Sequence, residues 1–253
     1  SAPRGELSGP GETEPRWHQP SRTQRPTYRC RSRASTAAKD DAGRPAVNTR
    51  LRLGRALYET GRSREAIDVL ELASADGPLP SEMQERLEYE LINSLIGDGQ
   101  TERAVERAVA VHRKHISGAH VSGHLGFVVI AWLALTLPRS RREGVEYASA
   151  ALADDVLLHE ETDAFATAVV CLIAADEYAR ARAALDKARE RAVASGSVSA
   201  FAWATELCSR IFYFLGELDE AEAEARTGFD AADSHGLEVS RPWLASALGD
   251  VLI

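Results

Sequence analysis

Apolar residues from residue 47 onward recur at the spacing of amphipathic helices, and small residues and turn-formers interrupt them at regular intervals. The pattern is clearest over residues 47–80, where it fits a repeat of about 34 residues built from two helices and a turn. In order, the large, small, large, turn, small, large, small and helix-ending positions are filled by Leu53, Gly54, Leu57, Gly61, Ala66, Leu70, Ala73 and Pro78. Ser63 is placed to cap the second helix.

The same pattern returns along the rest of the chain with a loose period. A second unit starts at Glu85, with Thr101 as its expected cap, and a third covers residues 121–137 and 142–153 around a turn at 138–140. A fourth starts near Thr162, and a fifth near Ala202. The small residue of each second helix marks the five units, at Ala66, Ala104, Ala148, Ala181 and Ala221. That residue must be small because the two helices of a pair cross closely.

This pattern is that of tetratricopeptide repeats, and it predicts an all-α protein. We expect a right-handed superhelix of antiparallel helix pairs over residues 47–253, with about five and a half units. A sixth unit begins at Pro242, and its first helix has no partner before Ile253. A solenoid normally ends in a polar capping helix, so we expect the repeats to be truncated at the C-terminus.

Residues 1–46 differ from the rest in composition. They hold six of the ten prolines, together with many Arg, Ser and Thr residues, and have almost no periodic apolar positions. This composition predicts a disordered N-terminal head. It is also what a shifted reading frame of GC-rich DNA tends to encode, so a non-native head is an alternative hypothesis.

The net charge also changes sign at the boundary between residues 46 and 47. The head has nine basic and five acidic residues, whereas the remaining 207 residues have 21 and 33. An acidic solenoid repels phosphate groups, so we expect the repeats to make no direct contact with nucleic acid or an anionic membrane. The longest apolar stretch, 125–137, is too short to cross a bilayer, and the three cysteines lack metal-ligand spacing. A cytoplasmic protein is the simplest expectation.

Nothing in the sequence indicates catalysis or a bound cofactor. None of the three lysines follows a glycine, so a phosphate-binding loop is absent, and no nucleophile elbow is present. His112, His115, His120 and His124 lie close together, but their spacing matches no standard zinc site. We therefore predict a protein without enzymatic activity, cofactor or metal.

A tetratricopeptide superhelix binds its ligands with the first helix of each pair, which lines the concave side. The groove-facing positions predict a site for a protein or small effector formed by Arg55, Tyr58, Tyr89, Asn93, Trp203, Glu206, Arg210 and Tyr213. The alternative is structural. In that case Trp203 and Tyr213 pack against the next pair, while Glu206 and Arg210 form a surface pair one helical turn apart.

Four phrases in the second half of the chain resemble a known family in wording, order and spacing. They are LLHEET at 157–162, AADEYARARAALD at 174–186, GSV at 196–198 and GELDEAEA at 216–223. Across residues 50–253 the chain resembles the helical-repeat region of large ATP-binding LuxR-class transcriptional regulators of actinobacteria.

The resemblance implies a longer parent chain with an N-terminal ATPase and a C-terminal helix-turn-helix domain, both missing from the present sequence. In such regulators the helical region senses an inducer or partner and holds the ATPase at rest. We therefore expect a non-catalytic sensing and interaction segment of a LuxR-class regulator. The alternative is an autonomous repeat adaptor that binds a peptide or protein in its groove.

Overall fold

The computed structural model describes residues 44–75, 79–118, 123–137, 141–160, 162–237 and 241–252, and within these ranges the chain is helical without strands. The predicted all-α class is confirmed for this part of the chain. The expectations for the head through residue 43, for Pro78 and for the turn at 138–140 lie outside the described residues.

Twelve α-helices are described, and ten of them form five pairs whose members follow each other closely in sequence, with α7 between the third and fourth pairs. The bounds are α1 Arg44–Glu59, α2 Ser63–Ala75, α3 Ser81–Gly97, α4 Thr101–Ile116, α5 His124–Thr136, α6 Arg141–Ala151, α7 Val156–Glu160, α8 Thr162–Ala174, α9 Tyr178–Ser195, α10 Val198–Leu215, α11 Leu218–Ser234 and α12 Arg241–Leu252. The pairs are α1/α2, α3/α4, α5/α6, α8/α9 and α10/α11, and α12 follows the fifth. Helix α1 begins three residues before the expected boundary at Val47.

The turns within four pairs contain a residue in the left-handed backbone region, where the sequence placed them. Gly61, Gly99 and Gly216 have φ values of 75°, 75° and 78°, which glycine adopts without steric cost. In the fourth pair Asp176 holds this conformation at φ 53°. The Asp176 carboxylate accepts hydrogen bonds from the Arg141 guanidinium and from the Tyr178 hydroxyl, which hold the strained residue in place.

The predicted helix caps were wrong by one residue. The Ala66 N–H donates to the Arg62 carbonyl, and Gln100 is the cap residue of α4, so Ser63 and Thr101 are the first residues inside their helices. A serine or threonine at the first helical position does not provide the side-chain cap that the sequence suggested.

The small residue at each helix crossing is confirmed. Its five representatives, Ala66, Ala104, Ala148, Ala181 and Ala221, are all 0% exposed. Gly54 serves the same purpose on α1, where a β-carbon would lie 2.6 Å from Leu70 Cγ. The prediction that Leu53 packs as a large core residue was wrong, since it is 48% exposed. Neighbouring helix residues are about 100° apart, so turning Gly54 toward Leu70 turns Leu53 away from the core.

A short irregular segment between α6 and α8 was not predicted. It consists of a 3-10 turn at Ala153–Asp155 and the helix α7, and both Asp154 and Asp155 have positive φ values. Leu157 and Leu158 of α7 are buried, whereas His159 is exposed. The segment therefore fills the junction between the third and fourth pairs with two leucines.

Neighbouring pairs are joined by a shared core and by ion pairs between their second helices. The main apolar core is continuous from Ile67 on α2 to Ile211 on α10. Glu71 pairs with Arg103 at 2.5 Å, and Arg189 pairs with Glu224 at 2.8 Å, so α2 is joined to α4 and α9 to α11. Among the helices described, none is long and apolar enough to cross a membrane.

The helix crossing gives a direct stability test in α11. Ala221→Leu adds a larger side chain at a 0% exposed position against α10, and we expect the free energy of unfolding to fall by about 1–3 kcal/mol. Ala223→Leu in the same helix is the matched control, because Ala223 is exposed and its substitution should cost less than about 0.5 kcal/mol. Urea unfolding of both variants measures the difference, and equal losses would contradict the close crossing.

Candidate functional site

The eight predicted groove residues lie on three first helices of the helix pairs. Arg55 and Tyr58 are on α1, Tyr89 and Asn93 on α3, and the remaining four on α10. The first helices touch in succession, α1 with α3, α3 with α5, α5 with α8, and α8 with α10. The residues of α1 and α3 lie close to α8, while those of α10 occupy several separate environments.

A cavity of about 190 Å³ lies between α3, α5 and α8. Two predicted groove residues, Tyr89 and Asn93, are part of its wall. The other lining residues come from all three helices and are Ile92, Ile96, Val128, Val129, Trp132 and Thr167. Sequence reasoning missed Trp132 and Thr167. The first lies in an apolar run interpreted only as a buried helix, and the second becomes relevant only through the packing of α8 against α5.

The Tyr89 hydroxyl is the most unusual group in this wall. Tyr89 is 4% exposed, and its Oη makes no well-formed hydrogen bond, although the side chains of Thr167 and Asn93 lie within reach of weak hydrogen bonds to it. Burial raises the pKa of this phenol well above its ordinary value. Tyr89 is therefore a neutral and incompletely satisfied hydroxyl in a mainly apolar wall, which costs folding free energy.

An ion pair lies beside the cavity and connects distant parts of the chain. Arg55 Nη2 of α1 is 3.0 Å from Asp163 Oδ2 of α8, across 108 residues of sequence, and Arg55 Nε donates to Glu59 at 2.8 Å. Asp163 is one helical turn from the cavity residue Thr167, whose hydroxyl donates to the Asp163 carbonyl at 2.9 Å. The first and fourth helix pairs thus meet next to the cavity.

Tyr58, also on α1, lies near acidic side chains of two other helices. Burial, together with the negative charges of Asp163 and Glu90, raises the pKa of the Tyr58 hydroxyl. Arg55 and Tyr58 of α1 therefore both lie near Asp163 of α8.

The four residues predicted on α10 do not share one open face. Trp203 packs against Phe165 of α8 with ring centroids 6.1 Å apart, and its Nε1 is buried without a hydrogen-bond partner. Tyr213 is 41% exposed beside Phe214, close to the end of the helix. The alternative of a structural role is therefore right for Trp203 in that its ring packs on another helix pair. That pair is the preceding one, however, and not the next one as expected.

Glu206 and Arg210 form the expected pair at 2.6 Å, but its interpretation as a surface pair was wrong. Glu206 is 7% exposed, whereas the Arg210 side chain is 41% exposed. Burial raises the pKa of the Glu206 carboxyl, Arg210 opposes this rise, and the negative charge of Asp250 on α12 adds to it. Arg210 therefore compensates a buried carboxylate.

The histidines and cysteines offer no site for metal or nucleophilic chemistry in the parts of the chain described. His112 Nε2 is 3.1 Å from a Glu143 oxygen, and His115 packs edge-on against Phe127 and Tyr147. His120 lies outside the described residues, and within them no three potential ligands are grouped for a metal ion. Burial raises the pKa of Cys171 to about 12 and that of Cys208 to about 11, so both stay protonated thiols at neutral pH.

Comparison with known proteins does not assign this chain to a family. No family model matches the chain, and no curated protein is significantly similar to it.

The buried carboxylate of Glu206 predicts a pH-dependent effect of Arg210. Since the folded-state pKa of Glu206 lies above its unfolded value, the contribution of this group to stability is least favourable at neutral pH and improves as the pH falls through the folded pKa. We expect Arg210→Ala to lower the free energy of unfolding by about 1–3 kcal/mol at pH 7, because it leaves a charged group buried without its cation. This loss should shrink toward acidic pH.

Two controls accompany this measurement. Arg226→Ala breaks a pair of the same spacing, with Glu222, whose side chain is 35% exposed, and should cost less than about 1 kcal/mol. On a Glu206→Gln background, Arg210→Ala should cost less than about 0.5 kcal/mol. Chemical unfolding between pH 5 and pH 8 would show the difference, and equal effects of the two arginine substitutions would refute a buried charge at Glu206.

Proposed function

We propose that this chain is a non-catalytic sensing and protein-interaction scaffold that receives an effector on the side formed by its first helices. The cavity between α3, α5 and α8 carries this proposal. The described residues of its wall carry no carboxylate, imidazole, thiol or amine, so they offer binding surface without acid–base groups. Among these residues only Tyr89 is titratable, and its raised pKa makes it a hydrogen-bonding group rather than a base.

We further propose that the helix pairs continue as a right-handed tetratricopeptide-like superhelix of about five and a half units. The successive contacts of first helices from α1 to α12 support this arrangement, as do the small residues at the five crossings. In such a superhelix the cavity and the Arg55–Asp163 pair lie on the concave side. The groove would then include Arg55, Tyr58, Tyr89 and Asn93.

Within this proposal the chain serves as the middle segment of a LuxR-class ATP-dependent transcriptional regulator in the cytoplasm. The four phrases that resemble this family carry the assignment, and the fold is compatible with it. An ATPase and a helix-turn-helix domain of the same parent chain would be its partners. The acidic repeats themselves would contact neither nucleic acid nor membrane.

An autonomous adaptor is the second candidate, and a different surface favours it. The C-terminal end of α10 and the start of α11 expose a cluster of large apolar side chains. Tyr213, Phe214, Leu215 and Leu218 are 41%, 53%, 49% and 49% exposed. Clustered exposed aromatic and aliphatic residues are typical of protein-interaction sites.

The encoding gene distinguishes the two candidates. For a regulator we expect the open reading frame to continue in both directions, with a phosphate-binding loop upstream and a helix-turn-helix downstream. Sequencing the locus and its transcript provides the measurement. Start and stop codons at the two ends of this chain would contradict the regulator and leave the adaptor.

A further inference from the structure

We propose that the cavity between α3, α5 and α8 binds a small, uncharged organic molecule of about one ring, held by a single hydroxyl or carbonyl group on Tyr89. This inference rests on the proposed sensing function and specifies the class of effector. It follows from the size of the cavity, the chemistry of its wall and the state of one buried hydroxyl.

The volume of the cavity matches a single-ring molecule. The cavity measures about 190 Å³, and an engineered apolar cavity of about 150 Å³ in another protein is known to hold benzene. A single ring therefore fills most of the space between the three helices. Ile96 belongs to the wall and is 38% exposed, so the cavity reaches the protein surface at the C-terminal end of α3.

The wall selects an uncharged and mainly apolar molecule. Five of the eight lining residues are aliphatic or tryptophan, and the remaining three, Tyr89, Asn93 and Thr167, are polar but uncharged. An ion placed here would lose its hydration without gaining a counter-charge from the wall. The Asp163 and Glu90 carboxylates that act on nearby Tyr58 make an anion still less favourable.

The Tyr89 hydroxyl supplies the polar contact. It is buried without a well-formed hydrogen bond, so the empty protein already bears part of the cost of its desolvation. A ligand oxygen placed beside it accepts its proton and removes that cost. Thr167 donates its own proton to the Asp163 carbonyl, which leaves its oxygen as an acceptor, and the Asn93 amide offers both a donor and an acceptor. A hydroxyl group on the ligand therefore matches all three.

Binding of four probe molecules to the full chain tests the proposal. We expect phenol and benzyl alcohol to bind saturably in ligand-observed NMR and calorimetry. Benzene lacks the oxygen and should bind about three- to tenfold more weakly, the factor that one hydrogen bond provides. Benzoate, an anion of the same size, should bind weakest of the four.

Three variants assign the binding to this cavity. Tyr89→Phe should abolish the preference for phenol over benzene, while the melting temperature of the unliganded protein stays the same or rises, because an unpaired buried hydroxyl is removed. Tyr147→Phe is the matched control, since Tyr147 lies on α6 outside the wall, and it should bind phenol like the wild type. Ile96→Trp fills the cavity from its exposed edge and should abolish binding of all probes.

A preference for phenol that survives Tyr89→Phe, binding that survives Ile96→Trp, or the failure of all four probes to bind would overturn the proposal. None of these results bears on the regulator assignment, which the gene decides. Conversely, a gene without the flanking domains leaves the probe experiment unaffected.

Discussion

The close crossing of the two helices in each pair is the constraint on which the rest of this structure depends. Helices whose axes approach to about 8–10 Å need a small side chain where they meet, and all five crossing alanines are fully buried. Where the helices approach even more closely, glycine occupies the contact position instead of alanine. A β-carbon on Gly228 of α11 would lie 2.3 Å from Thr205 Oγ1 of α10 and 2.7 Å from Leu244 Cδ2 of α12. Each pair thus becomes a rigid block whose remaining apolar face must pack on the next.

The cavity follows from this packing of blocks. Stacking the pairs brings α3, α5 and α8 side by side, but their side chains do not fill the space between them completely. A buried phenol without a well-formed hydrogen bond in a mainly apolar wall lowers the stability of the empty protein. Costs of this kind persist mainly where binding or another function offsets them.

Local sequence patterns predicted the helices well because period, small residues and turn-formers act over a few residues. Gly61, Gly99, Asp176 and Gly216 all lie in turns as expected. The failures concern contacts between distant segments. Periodicity did not show that Leu53 faces away from the core, or that Trp132 and Thr167 complete a cavity with Tyr89. Nor did it show that Asp250 and the neighbouring helices surround Glu206, since spacing along α10 says nothing about what α12 covers.

The Arg55–Asp163 pair illustrates how little a visible contact between distant segments contributes to holding them together. The two side chains are 27% and 57% exposed, and pairs of this kind contribute about 0–1 kcal/mol. What fixes α1 is the packing of Leu51, Leu57 and Gly54 on its neighbours. The ion pair therefore marks the place where α1 and α8 meet, but it contributes little to holding the two helices together. A ligand beside Thr167 can shift that contact only by as much as it prefers one arrangement over the other.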